Sequence, residues 1–388
     1  MDEKPPVISV VIPCFRAGTL LSEAIESVLS QTETDWELIL VDNNASEETK
    51  AVIEKYTAKY SQKIKTIYER TQGSSSSRNR GLSESRGSYV AFLDDYDLMY
   101  PERLTLQKTA LENNPDAVLC FGAIDWVSYD DLTILEKNAK DGDFPFFFSS
   151  ASSVGSEARL RFPEPRPSSI MVCKEVALKI GGFDEHFNPV LLEETEFYFR
   201  LFQVGTYVTI PQPVIRFRMP SLEFLKKKRI DNVRKFRLLL NQDYFFSKVK
   251  KFLEEKQLLD NPMIRRDLSR MKARWLREIS FDFMATPGGE RFARLLLKRA
   301  IREAPSDLKS VKHLIRSFYP FQFRERRYRS QQVYEEGIPK EITEDFLLSL
   351  FEGDHHCPFC EASAQASSNP ELGLGSTQKK ESPAGGLR

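Results

Sequence analysis

Apolar and polar positions follow a repeating order over the first 95 residues. Val7–Pro13 (VISVVIP) is a short β-branched run, the pattern of a strand buried on both faces. The stretch after it, AGTLLSEAIESVLSQ, sets Leu20, Leu21, Ala24, Ile25, Val28 and Leu29 on one face at helical spacing. WELILVDN (36–43) predicts a second strand and SEETKAVIEKYTAKY (46–60) a second helix, with Ser46 and then Glu47 and Glu48 suited to its N-terminus. KIKTIYE (63–69) and SYVAFLDD (88–95) read as the third and fourth strands. Strand–helix–strand order in units of about 30 residues predicts an α/β fold with a mostly parallel, doubly wound sheet.

In such sheets ligands sit beyond the carboxyl ends of the strands. Three strands here end in polar groups: Pro13-Cys14-Phe15-Arg16, Asp42-Asn43-Asn44 and Asp94-Asp95. A nucleotide base needs a flat apolar partner and a hydrogen-bonding group for its edge. Phe15 can supply the first and Asp42 the second, although taken alone they read first as a core aromatic and a turn former. Asp94, Asp95 and Asp97 crowd negative charge at one strand end, where each carboxylate must be solvated, hydrogen-bonded or matched by a cation.

Set in order, five segments resemble the family 2 glycosyltransferases: VVIPCFRAGTLLSEAIESVLSQT, ELILVDNNASEET, SRNRGLSESRGSYVAFLDDYD, GGFDEHF and LLEETEFYFRL. These are inverting enzymes on a nucleotide-diphospho-sugar-binding (GT-A) fold, and the resemblance covers about residues 7–220. It implies donor-nucleotide contacts at Pro13, Phe15, Asp42, Arg78, Asp94 and Asp95. It also implies a divalent cation, Mn or Mg, at Asp95 and Asp97, to neutralise charge growing on the leaving diphosphate. For Arg78 a structural ion pair with Asp94 is an equal alternative. The family's Asp-x-Asp-Asp pattern meets Asp94 and Asp97, but Tyr96 stands on the middle acid. The family's later Arg-x-His is Arg218-Met219-Pro220 here, without the histidine. Both departures weaken the expected metal site. Glu194 falls on the family's catalytic Asp, preceded by Glu193, and would be the general base. The alternative is that Glu193, Glu194 and Glu196 only favour a helix N-terminus. The Gln-x-x-Arg-Trp pattern of processive polymerases is missing, which favours transfer of a single sugar to a glycan or lipid-linked hydroxyl acceptor in cell-surface polysaccharide synthesis. A non-catalytic nucleotide-sugar-binding or scaffold protein on the same fold is the rival reading. A dinucleotide-binding dehydrogenase is disfavoured, because no Gly-x-Gly-x-x-Gly follows the first strand.

Beyond residue 220 the texture changes to basic, helically periodic sequence. Residues 221–340 hold 30 Lys+Arg and 15 Asp+Glu, although the whole chain balances at 56 of each. LKKKRIDNVRKFRLLL and FYPFQFRERRYRS could lie on an anionic membrane; the favoured alternative is that they are simply solvated faces or dock against the acidic first domain. No nucleic-acid motif accompanies the charge. The expected domains are therefore 1–220, 221–352 and a tail, 353–388, of disordered composition. His355, His356, Cys357 and Cys360 open that tail and read as a weak or incidental metal cluster rather than a structural zinc site. Cys14, Cys120 and Cys173 sit within apolar segments as reduced, buried thiols. With no apolar run of about 18 residues and no signal-like N-terminus, a cytoplasmic location is expected, with peripheral contact at the membrane's inner face.

Overall fold

A computed structural model of the protein describes residues 5–139, 165–188, 192–219, 232–284 and 288–318. The four expected strands form as β1 (Ile8–Cys14), β2 (Trp36–Asp42), β3 (Ile64–Tyr68) and β4 (Tyr89–Phe92). They lie parallel in the order β3-β2-β1-β4. Alternation along them feeds two cores. Val10, Ile12, Leu38 and Leu40 enter one, and Val11, Ile39, Val41 and Phe92 the other. That two-sided burial is why the strands read as nearly continuous apolar runs. Helices α1 (Leu20–Leu29) and α2 (Glu47–Lys59) bury their apolar faces in the first core. The Ser46 hydroxyl accepts from Thr49 N at the start of α2. Helix α3 (Ser74–Glu84) lies on the opposite face, where any Cβ at Gly81 would collide with Val11.

Beyond β4 the sheet is mixed rather than mostly parallel. β8 (Ile170–Cys173) pairs antiparallel with both β4 and β6 (Ala117–Ser128), β6 runs parallel to β9 (Thr206–Met219), and β5 (Leu98–Met99) closes the edge antiparallel to β9. β7 (Ile134–Ala139) pairs with β6 as a hairpin. Local pattern could not show this, because the second half of the sheet is assembled from strands far apart in sequence. α4 (Arg103–Glu112), α5 (Lys174–Lys179) and α6 (Glu193–Leu201) complete the first domain.

The basic region is helical as expected: α7 (Asn232–Glu255), α8 (Pro262–Met284), α9 (Glu290–Glu303) and α10 (Leu308–Arg316). It docks on the first domain through aromatic packing. Phe187 and Phe199 share a core with Phe245, Phe246 and Trp275. Lys248 adds ion pairs to Asp184 (2.5 Å) and Glu196 (2.6 Å). No described helix is long and apolar enough to cross a membrane. The expected boundary at 220/221 and the cluster at 355–360 lie outside the described residues.

Candidate active site

The carboxyl ends of β1, β2 and β4 meet at one edge, with Cys14 opposite Asp42 in register. Phe15 follows β1 and stays 38% exposed, its ring under the Arg16 guanidinium at 4.7 Å. It is therefore not a core aromatic. Pro13, half-buried within β1, pairs in register with Val41. Asp42 is half-buried, and its Oδ1 accepts from Ala45 N (2.8 Å), so one oxygen does the work of a turn former. The next residue, Asn43, is buried and ties the edge together. It donates to the Glu69 and Thr71 carbonyls (2.9 and 2.7 Å) and accepts from Gly73 N (2.9 Å).

The acids behave in three different ways. Asp94 is partly exposed, and its Oδ1 takes Arg78 Nη2 at 3.0 Å. Asp95 is buried, and its Oδ2 accepts from the Phe15 backbone N–H (2.9 Å), joining the ends of β4 and β1. Burial pushes its carboxyl up to about 7; the Phe15 bond opposes the rise and Asp94 adds to it. Asp97 is fully buried, with Ser168 Oγ donating to Oδ2 (2.6 Å) and Arg218 N to Oδ1 (2.9 Å). Burial and then Asp94 raise its pKa well above the ordinary carboxylate range. Tyr96 is half-buried, its ring 6.4 Å from that of Tyr129.

These placements bear on the expected cation. Both Asp97 oxygens are occupied by protein donors in the interior, so Asp97 fits a structural anchor and not a metal ligand. Asp95 retains Oδ1 and fits as a single carboxylate, which suffices for Mg or Mn only when diphosphate oxygens and water complete the shell. Among the described residues no group of three or more His, Cys, Asp or Glu could hold a metal ion.

Opposite the strand ends stands the N-terminus of α6. Leu192, just before it, has φ +95°, an unusual backbone for a branched residue. Glu193 is buried; its Oε1 accepts from Ser74 Oγ (2.5 Å) and Arg78 Nη1 (3.2 Å). Arg78 therefore bridges Asp94 and Glu193. Burial disfavours its charge, but Asp94, then Glu193 and Glu194, more than reverse that and raise its pKa. Of the two readings for Arg78, the structure shows the ion pair, with the guanidinium enclosed between carboxylates. Glu194 is half-buried beside this cluster. Asn79 fixes the preceding Gly-Gly-Phe-Asp-Glu loop, donating to Phe183 O (2.8 Å) and accepting from Phe183 N (2.7 Å). Gly182, at φ +65°, leaves no room for a Cβ against Asn79.

Ser168 and Arg103 escaped sequence reading, and Arg218 was read only as the arginine of the family's Arg-x-His. Ser168 links Asp94 N to Asp97, and Arg218, buried on β9, pairs with Glu23 on α1 (2.6 Å). Arg103 is wholly buried, donating to the Phe92 and Ile170 carbonyls (3.1 and 2.9 Å). The Asn43 position, a polar residue directly after a buried strand, carried a readable signal.

Residues 9–151 match the model of glycosyl transferase family 2. The provisionally named glycosyltransferase EpsE of Bacillus subtilis (strain 168) is 38% identical over 110 residues, 28% of this chain and 40% of that protein. TuaG of the same organism, provisionally named a teichuronic acid biosynthesis glycosyltransferase, is 33% identical over 108 residues, 28% of this chain and 42% of that protein. The chain thus matches less than half the length of these curated relatives. A crystal structure of S. aureus TarS 1–349 in complex with UDP aligns with TM-score 0.44 and 13% identity, covering 86% of this chain and 94% of that one.

Proposed function

We propose that the chain transfers a single sugar, with inversion, from a nucleotide-diphospho-sugar to a hydroxyl acceptor in cell-surface glycan or polysaccharide synthesis. The observation that carries this reading is the Arg78 bridge. It draws the acidic strand end, where a donor diphosphate would lie, against the helix N-terminus that bears Glu194. Phe15 would stack on the base and the second oxygen of Asp42 would accept from its edge, with Pro13 shaping the floor. Asp94 and Asp95 would face the ribose and diphosphate.

In the reaction the acceptor hydroxyl passes its proton to Glu194 as its oxygen attacks the anomeric carbon. The bond from that carbon to the diphosphate oxygen breaks on the opposite face, and the nucleoside diphosphate leaves with the electron pair. A divalent cation, when bound at Asp95, would neutralise the diphosphate. The N-terminal end of α6, the positive end of the helix dipole, favours the negative charge of a carboxylate placed there. The name borne by TuaG supports a polysaccharide acceptor.

The second reading is a non-catalytic nucleotide-sugar-binding protein, favoured by Tyr96 at the middle acid and by the enclosed Asp97. A panel of nucleotide-diphospho-sugars, scored for thermal stabilisation and for hydrolysis with Mn²⁺, Mg²⁺ or EDTA, separates the two. Stabilisation with turnover supports the transferase. Stabilisation without turnover supports the binder, and neither result for any donor removes both.

A further inference from the structure

Helix α10 leaves much of its apolar stripe exposed, with Val311 and Leu314 half-buried. Its inward face carries Ser310 and Ser317, both fully buried; Ser310 Oγ donates to Asp307 Oδ2 and Ser317 Oγ to the Leu314 carbonyl, each at 2.6 Å. Its outward face carries Leu308, Ile315 and, one turn on, Phe318, exposed to 77%, 58% and 64%. At about 100° per residue these three fall within one arc of about 80°, and exposed Lys309 and Lys312 lie along its border. An ordinary surface helix buries its apolar stripe more fully.

The stripe is held ready. Asp307 caps the helix through Lys309 N and also pairs with Arg277 of α8. Arg294 donates to Ser317 O (3.2 Å) and stacks under the Phe318 ring at 4.5 Å. Because the face is already folded, a partner that covers it incurs little ordering cost. Charge narrows the partner: residues 291–318 hold eight Lys+Arg against two Asp+Glu. An apolar stripe bordered by lysines, on a strongly basic end of the protein, matches an anionic bilayer, with apolar groups at the acyl boundary and lysines reaching lipid phosphates. The earlier candidate segment at 225–240 fits less well, since Leu239 is buried in the helical core.

We propose that the outward face of α10 docks this protein on an anionic phospholipid surface through Leu308, Ile315 and Phe318, with Lys309 and Lys312 on the lipid phosphates. This stands independently of the catalytic reading.

Sedimentation of the full chain with phosphatidylcholine vesicles, with and without about 30% phosphatidylglycerol, tests it. The wild type should bind the anionic vesicles, and Leu308→Ser/Ile315→Ser and Lys309→Glu/Lys312→Glu should each weaken binding about tenfold. Both pairs are exposed, so unchanged melting temperatures would show that the fold is kept. Wild-type binding by both variants, or equal partition into neutral and anionic vesicles, would overturn the proposal. So would a wild type that ignores vesicles but is dimeric by light scattering and becomes monomeric in Leu308→Ser/Ile315→Ser, since a second copy would then cover the face.

Discussion

Arg78 and Glu193, 115 residues apart in sequence, form a buried ion pair at 3.2 Å, and the same guanidinium holds Asp94 at 3.0 Å. Two carboxylates so placed would repel each other across the site, and the arginine converts that repulsion into a tie between β4 and α6. Removing one partner of a buried pair leaves an uncompensated charge and costs about 3–5 kcal/mol, whereas removing both is far milder. Arg78→Met should therefore destabilise the fold by about that amount in urea denaturation. Arg78→Met/Glu193→Gln should recover a large part of the loss. If the double variant is as unstable as the sum of the single ones, Arg78 and Glu193 are not coupled.

Asp97 gives a way to separate structure from metal chemistry. An asparagine there can still accept from Arg218 N, and its amide can donate to Ser168. Asp97→Asn should cost about 1–3 kcal/mol of stability and leave the cation response of turnover as in wild type. Tyr96→Asp, which restores the family's acid pattern, should raise Mn²⁺-dependent turnover. Loss of the cation response in Asp97→Asn would return that residue to the metal site, and no gain in Tyr96→Asp would count against the alignment.

The legible part of this molecule is the part that local pattern encodes. β1 to β4 and the helices between them were readable because each strand is buried on both faces and each helix carries one apolar stripe. The strand-end residues Phe15, Asp42, Asp94 and Asp95 were found for the same reason, and they do share one edge. The role of Asp97 was not readable, since a one-residue difference in position decides whether a carboxylate meets solvent or Ser168. Arg103 and the pairing of Arg218 were hidden because the partners, Ile170 and Glu23, are distant in sequence. The mixed half of the sheet was hidden likewise, its pairings set by tertiary packing.

Asp95 makes stability depend on pH. Its carboxyl is raised by burial to about 7, while in the unfolded chain it titrates near 3.9. An acid with a raised folded pKa contributes most below the unfolded value, where it is protonated in both states, and that contribution is lost as pH rises through about 7. In metal-free buffer with EDTA, wild-type stability should therefore fall by a few kcal/mol relative to Asp95→Asn between about pH 4.5 and 8. The asparagine keeps an oxygen for Phe15 N, so the comparison isolates the charge. Parallel stability curves for the two proteins would show that Asp95 is ionised throughout.

The assignment of the base rests on Glu194, which stands beside the Arg78 cluster, while Glu193 is committed to Ser74 and Arg78. General-base removal typically lowers turnover by about 10²–10⁴-fold. Glu194→Gln should produce such a loss in kcat with unchanged thermal stabilisation by the donor, because the amide cannot take the acceptor proton and the donor contacts lie across the site. Glu194→Asp, one methylene shorter, should retain part of the rate, as a carboxylate displaced by about an ångström can still reach the proton less well. Glu193→Gln should behave differently, lowering stability through Arg78 and moving kcat only as far as the helix shifts. If Glu194→Gln turns over like wild type while Glu193→Gln is inactive but folded, then the base is Glu193, whose second oxygen, Oε2, is buried without a hydrogen-bond partner.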